Sequence, residues 1–183
     1  MNTAVTALER FIAETGAAVT PIMSGITRSQ STRFGEADYF AERVESACGR
    51  KILSTVAEVE PIGPKSLLDL LIIAPCTGNT LAKLASGIAD TSVTMAAKAH
   101  LRGEKPVLIA LSTNDALSGA AANIGTLLNR RSVFFVPFGQ DAPQSKPRSC
   151  VADFTQITRA AEAALDMHQL QPVLLAAPGD AKK

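Results

Sequence analysis

The chain is 183 residues long, 46% of them apolar, and 18 lysines and arginines against 17 aspartates and glutamates leave a formal charge of +1. That length suits one domain with a full hydrophobic core, and the apolar share excludes a disordered or fibrous chain. The near-neutral balance argues against a nucleic-acid surface, which needs a concentrated basic excess.

In chain order, residues 3–14 carry Val5, Leu8, Phe11 and Ile12 at helical spacing, with Gly16 to end the helix. Residues 18–23 read as a buried strand. Residues 24–35 hold Gly, Ser, Thr and two arginines and read as a loop. Residues 36–48 form a second helix closed by Gly49, and residues 51–53 a short strand. Pro61, Gly63 and Pro64 turn the chain. Residues 67–74 are nearly all apolar over a short run, the pattern of an internal parallel strand. Helices follow over 79–88 and 91–101, the second stopping at Gly103. Pro106 opens a buried strand over 107–111, and residues 112–115 form a polar loop at its end. A helix over 117–129, a strand over 133–136 and an irregular loop over 140–149 come next. An amphipathic helix over 154–167 precedes a tail that starts near Leu170.

Strands alternating with helices predict an α/β fold, a Rossmann-like three-layer sandwich with a mostly parallel sheet. The expected organisation is one domain over 1–175 and a tail over 176–183. Because the alternation opens on a helix, the sheet is expected to lack its first strand. Ligands of such sheets sit outside the carboxyl ends of the strands. Residues 24–28, 75–80 and 112–115 are therefore the candidate site.

Within that site, Pro75-Cys76-Thr77-Gly78-Asn79-Thr80 joins a buried strand to a helix. Its glycine lets a ligand approach the backbone, and the helix start presents free N–H groups to an anion or an electron-rich ring edge. An ordinary Thr/Asn helix cap is the competing explanation. Cys76 at a helix start has the position of a reactive thiolate, but with no histidine near it in sequence a small buried apolar role fits better. Arg28 and Arg33 flank a Ser/Thr loop and suit a phosphate or carboxylate, against a simple solvated role. His100 and His168 are too few and too far apart for zinc, so no metal is expected. Cys48, Cys76 and Cys150 contain no CxxC pair and suit a reduced, cytoplasmic protein. No apolar run is long enough to span a bilayer, and no signal peptide is evident. GxGxxG, Walker and HExxH motifs are absent.

Ile73-Ala74-Pro75-Cys76-Thr77-Gly78-Asn79-Thr80-Leu81-Ala82-Lys83, continued by Ala85-Ser86-Gly87-Ile88-Ala89-Asp90, resembles the signature of the flavoprotein (flavin-containing cysteine decarboxylase) superfamily. Further pieces resemble its dipicolinate-forming branch. They are Thr32-Arg33-Phe34-Gly35-Glu36-Ala37, Met95-Ala96-Ala97-Lys98-Ala99, Ser112-Thr113-Asn114-Asp115-Ala116-Leu117, Phe134-Phe135-Val136-Pro137-Phe138-Gly139-Gln140-Asp141 and Gln169-Leu170-Gln171-Pro172-Val173-Leu174. The resemblance covers residues 2–175.

It implies a flavoprotein fold, FMN as cofactor, and a homo-oligomer (a trimer, or a dodecamer of trimers) with the flavin at subunit contacts. The helices around Lys98 and over 118–125 are the expected contact surfaces. In this branch the chain works with a different protein, the A subunit, which looks like an NADP- or NAD-dependent dehydrogenase. Together they form dipicolinate (pyridine-2,6-dicarboxylate) from the dihydrodipicolinate branch of lysine synthesis, in the mother cell of a sporulating bacterium, as an oxidoreductase. The resemblance places Ser24 at the flavin phosphate or ribityl chain, and Thr77, Gly78, Asn79 and Thr80 along the flavin. Ser112, Thr113 and Asn114 are expected in the same pocket, with Arg28 and Arg33 as candidates for a carboxylate or phosphate. The catalytic histidine and Pro-X-Met-Asn segment of the decarboxylating relatives are missing, which disfavours decarboxylation. The Gly-rich strand and phosphate loop that normally open the family also precede the point where this chain begins. A non-catalytic partner that stabilises the dehydrogenase is the alternative reading, and a flavin-dependent decarboxylase a weaker one.

Overall fold

The computed structural model describes residues 2–30 and 36–176. Helix α1 (Asn2–Thr15) forms as expected and buries Val5 and Ala7. The stretch at 18–23 differs from expectation. It makes only an isolated parallel bridge, Ile22 to Leu53, with Met23 N donating to Leu53 O at 3.0 Å and Leu53 N to Pro21 O at 2.9 Å. The expected loop after it winds into a short helix, α2 (Gly25–Ser29), because the Ser24 hydroxyl caps its start. Helix α3 (Ala37–Cys48) stops on Gly49. Arg43 of α3 grips α1 through both carboxylate oxygens of Glu9, at 2.7 and 2.8 Å.

The turn expected around Pro61 is more ordered than its prolines suggest. Thr55 and Glu58 form a reciprocal capping box that starts α4 (Val56–Val59), and a 3-10 turn over Glu60–Ile62 follows. Gly63 then passes so close to a later helix that a Cβ there would lie 2.4 Å from the Ala99 carbonyl oxygen. Only glycine permits that contact.

The sheet is built on β1 (Leu71–Cys76) and β2 (Val107–Thr113), which pair in parallel with Leu71 opposite Val107 and Ile73 opposite Ile109. A bulge before Cys76 shifts the register toward Leu111. The β1 strand begins later than the apolar run does, because Leu67 to Leu70 are spent on the approach to the sheet. Strand β3 (Val133–Phe135) adds in parallel to the first half of β2. Beyond it, Ser112 and Thr113 pair antiparallel with a short strand, β5 (Cys150–Ala152), which in turn pairs with β4 (Phe138–Gln140). Thus two residues expected in a loop belong to β2. The order is β1-β2-β5-β4 with β3 on β2, and among the described residues β1 has a strand on one edge only.

Helices flank this mostly parallel sheet. Helix α5 (Gly78–Ser86) packs against α6 (Ser92–Leu101) and α7 (Ala121–Leu128), and α6 covers β1 and β2. Helix α7 starts later than expected because Ser118 N and Ala120 N both donate to the Asp115 carbonyl, closing a turn first. Helix α8 (Ile157–Leu165) buries Ile157, Ala160, Ala161 and Ala164, one stripe of a helix, and packs on β2 and α1. Val107 to Leu111 are at most 1% exposed, as a strand covered on both faces requires. The buried side chains fall into a large cluster on the sheet and a smaller one of Val5, Met23, Phe40, Ala41, Val44 and Ile52. Residues 177–183, most of the expected tail, lie outside the described residues. Among the described residues no helix is long and apolar enough to cross a membrane.

Candidate functional site

The carboxyl ends of three backbone segments open into one cleft of about 420 Å³. Ser24, Gly25 and Ile26 follow the Ile22 side of the bridge, Ser54 and Val56 follow its Leu53 side, and Asn79 and Thr80 follow β1. Lys83, Asp90, Thr91 and Ser92 complete the wall. This is where an open parallel sheet puts its ligand, and the volume suits a small molecule.

Each polar group has a local cause. Ser24 Oγ accepts from Thr27 N at 3.3 Å and shares a 2.8 Å bond with Thr27 Oγ1, which fixes the turn from Met23 into α2. Thr77 is the N-cap of α5, yet its side chain makes no capping bond; its hydroxyl donates to Thr80 Oγ1 at 3.4 Å. The first N–H groups of α5 are therefore left without a side-chain acceptor, the arrangement that favours an anion or an electron-rich ring. Asn79 is exposed, and among the described residues its amide makes no hydrogen bond. It offers a free donor and a free acceptor. Thr91 caps α6 in a reciprocal bond with Thr94. Lys83 Nζ lies 2.9 Å from both carboxylate oxygens of Asp90, and that bond holds the Asp90 carboxyl below its ordinary range.

The expected residues separate into groups. Ser24, Asn79 and Thr80 share the cleft wall, while Thr77 and Gly78 fall outside its lining. Ser112, Thr113 and Asn114 lie outside its lining and form a second polar cluster beside Gly78. There the Thr113 hydroxyl donates to Asp115 Oδ1 in a short hydrogen bond, and Asn114 Oδ1 accepts from Ser149 Oγ at 3.4 Å. Gly78 is the contact between the groups: a Cβ on it would lie 2.8 Å from Thr113 Oγ1 and 3.0 Å from Asp115 Oδ1. Arg28 is spent on Asp38, 2.7 Å away, and Arg33 lies outside the described residues. Cys76 is fully buried, and burial pushes its thiol up to about 12, so it is no nucleophile at neutral pH. Among the described residues no three His, Cys, Asp or Glu gather to hold a metal ion.

Sequence reasoning did not single out Ser54, Lys83, Asp90 and Thr91 as site residues. Ser54 carries a usable signal, since it follows a short strand as Ser24 does. The Lys83–Asp90 pair bridges seven positions across the Gly87 helix stop, and only the fold shows that the two meet.

The Flavoprotein family model matches residues 5–164. The chain is similar to the B subunit of dipicolinate synthase from Bacillus subtilis (strain 168), 42% identical over 160 residues, which is 87% of this chain and 80% of that one. The crystal structure of the dipicolinate synthase B subunit from Bacillus halodurans matches with a TM-score of 0.87 at 40% identity, over 96% of this chain and 90% of that one. The FMN-dependent cysteine decarboxylase SpaF matches at a TM-score of 0.61 with 21% identity, over 90% and 91% of the two chains, and shows the shared fold.

Proposed function

The chain belongs to the Flavoprotein family, in the branch that holds the B subunit of dipicolinate synthase, and from that premise we propose that it acts as this B subunit. With the dehydrogenase, the A subunit, it forms dipicolinate from the dihydrodipicolinate branch of lysine synthesis during sporulation, in the mother-cell cytoplasm. The observation that carries the role of this chain is the cleft at the carboxyl ends, where Asn79 and the uncapped start of α5 face a space of about 420 Å³.

These residues fit an FMN. The α5 N–H groups lack a side-chain acceptor, the Asn79 amide is unengaged among the described residues, and Ser24 and Thr80 add hydroxyls. Ser24, Asn79 and Thr80 would hold it, with Thr77 and Gly78 at the helix start. Thr113 and Asp115 support that start from behind Gly78 rather than touching the ligand. Bound flavin supplies a two-electron acceptor for the ring oxidation that yields the aromatic dicarboxylate. The chain's own part is to bind and orient. Asn79 presents one donor and one acceptor to a planar ring edge, and Ser24 fixes where the wall turns. The oxidoreductase class, an NADP- or NAD-bound dehydrogenase partner and a trimeric or dodecameric assembly complete the reading.

One observation favours a second reading, a non-catalytic partner that stabilises the dehydrogenase. Among the described residues, no histidine or cysteine lines the cleft, so it lacks an evident acid, base or nucleophile beyond the paired Lys83 and Asp90. The deciding experiment is dipicolinate formation by the dehydrogenase with and without this chain, together with visible absorbance of the purified chain. Flavin absorbance and faster turnover are expected. Unchanged turnover by the dehydrogenase would sink the proposal.

A further inference from the structure

We infer that Lys83 is the anion-binding residue of the cleft and that Asp90 is a built-in counter-ion, displaced by an anionic group of the cleft's ligand. This rests on the reading of the cleft as a ligand site and adds what kind of group it recognises there. Among the described lining residues Lys83 is the only cation and Asp90 the only anion.

The pair is asymmetric in a way that suits exchange. The Lys83 side chain is 22% exposed and rides on α5, so its stem is held while the ammonium reaches the wall. The Asp90 side chain is 56% exposed and sits on the short link before the Thr91 cap of α6. Asp90 therefore has two places to go. It can stay on the ammonium, or it can turn to solvent beside the amino end of α6, where a negative charge is favoured. Lys83 has no such choice, because no other acid lines the cleft among the described residues.

Geometry supports the same exchange. The ammonium sits 2.9 Å from two carboxylate oxygens at once. A phosphate monoester or a ring carboxylate presents the same pair of anionic oxygens, and charge-assisted bonds of this kind are the strong ones. An ammonium point charge accepts either without a directional fork. Arg28, the other basic candidate near Ser24, is engaged by Asp38 and does not line the cleft. The shared ligand chemistry is an anionic oxygen group, carried either by the phosphate of FMN or by a carboxylate of the pyridine product.

The test titrates the full chain with FMN, with riboflavin (the same ring without phosphate) and with dipicolinate. Wild type, Lys83→Gln and Asp90→Asn are compared, with melting curves to verify folding. If the phosphate is bound here, Lys83→Gln weakens FMN by about tenfold or more and leaves riboflavin unchanged, while Asp90→Asn tightens FMN alone. If the carboxylate is bound here, the same opposite pair of changes appears with dipicolinate and the flavins do not respond. Asp90→Asn keeps the proposal open to test should Lys83→Gln fold poorly. Variants that match wild type for all three ligands overturn the inference but leave the flavin reading intact. A wild-type chain that binds dipicolinate but no flavin removes the flavin reading and leaves the carboxylate arm to decide this one. A wild-type chain that binds none of the three overturns both.

Discussion

The Ser92 hydroxyl donates to the Met23 carbonyl at 2.6 Å, joining residues 69 positions apart in a buried contact. Met23 belongs to the smaller hydrophobic cluster, while Ala96 and Ala97, one turn beyond Ser92 on α6, belong to the larger one. The bond therefore ties the first segment of the cleft wall to the helix that covers the sheet. Removing the hydroxyl leaves a carbonyl without that partner, which costs about 1–3 kcal/mol. Ser92→Ala is expected to lower the unfolding free energy by that amount, read as a lower urea midpoint at an unchanged slope. Stability equal to wild type would mean that the contact contributes nothing to joining the clusters.

Gly78 brings the two polar groups of the site together, and its substitution tests that contact. A Cβ at this position would lie 2.8 Å from Thr113 Oγ1 and 3.0 Å from Asp115 Oδ1, so one of those side chains must move. Gly78→Ala is expected to cost about 1–2 kcal/mol. Thr113→Ala removes the nearer atom, so the double variant is less destabilised than the two single changes together, with a coupling of at least about 0.5 kcal/mol. Strict additivity in chemical denaturation would show that the two residues do not meet.

His100 makes stability depend on pH over a window of its own. It is 2% exposed, and its Nε2 lies 3.0 Å from the Pro106 carbonyl, to which the neutral ring donates. Burial, with help from Lys105, lowers its pKa from the ordinary 6.5 against the raising effects of Pro106 and Asp69. The unfolded chain therefore takes up a proton first as pH falls. The stabilisation is complete above 6.5 and is lost below it, by at most about 1.4 kcal/mol per pH unit. The carboxylates held low, Glu45, Glu58, Asp90, Asp141 and Asp153, respond only in more acid solution. Denaturation midpoints between about pH 7 and 5 are expected to fall for wild type and to fall less for His100→Gln. Equal slopes for the two proteins would exclude His100 as the cause.

How much of this was legible before folding depends on how local each cause is. The strands β1 and β2 announce themselves by short apolar runs: Val107 to Leu111 is buried on both faces, as such a run requires, while in β1 Leu71 and Ile73 are buried and Ala74 is exposed. Helix α6 is marked by Thr91 and Thr94 at capping distance. By contrast β4 and β5 are three residues each, with Gly139 inside one of them, and they exist only because Ser112 and Thr113 offer a partner across the sheet. The same pairing draws Ser112 and Thr113 into β2, away from the cleft lining that Ser24, Asn79 and Thr80 share. The stretch at 18–23 has the composition of a strand, but among the described residues only Leu53 supplies a bridge partner, so no ladder grows. Ser24 and residues 75–80 were readable because polar groups follow apolar strands there. Lys83 and Asp90 were not, since their meeting depends on how the chain turns at Gly87.

Asn79 separates the binding role from the structural one. Its side chain is exposed and makes no hydrogen bond among the described residues, so Asn79→Ala removes nothing that holds the fold and stability stays within about 0.5 kcal/mol of wild type. If the cleft orients a flavin or a pyridine ring through this amide, the loss of one donor and one acceptor weakens binding by about tenfold. Turnover in the presence of the dehydrogenase should fall with it. FMN titration by fluorescence and dipicolinate formation, measured on the same preparation, check both halves. Weakened binding with intact turnover would favour the stabilising-partner reading, because the ligand would then be dispensable to the reaction. Unchanged binding would remove Asn79 from the site and shift attention to Ser24, Ser54 and Thr80, polar residues of the wall that follow a strand or bridge end as Asn79 does.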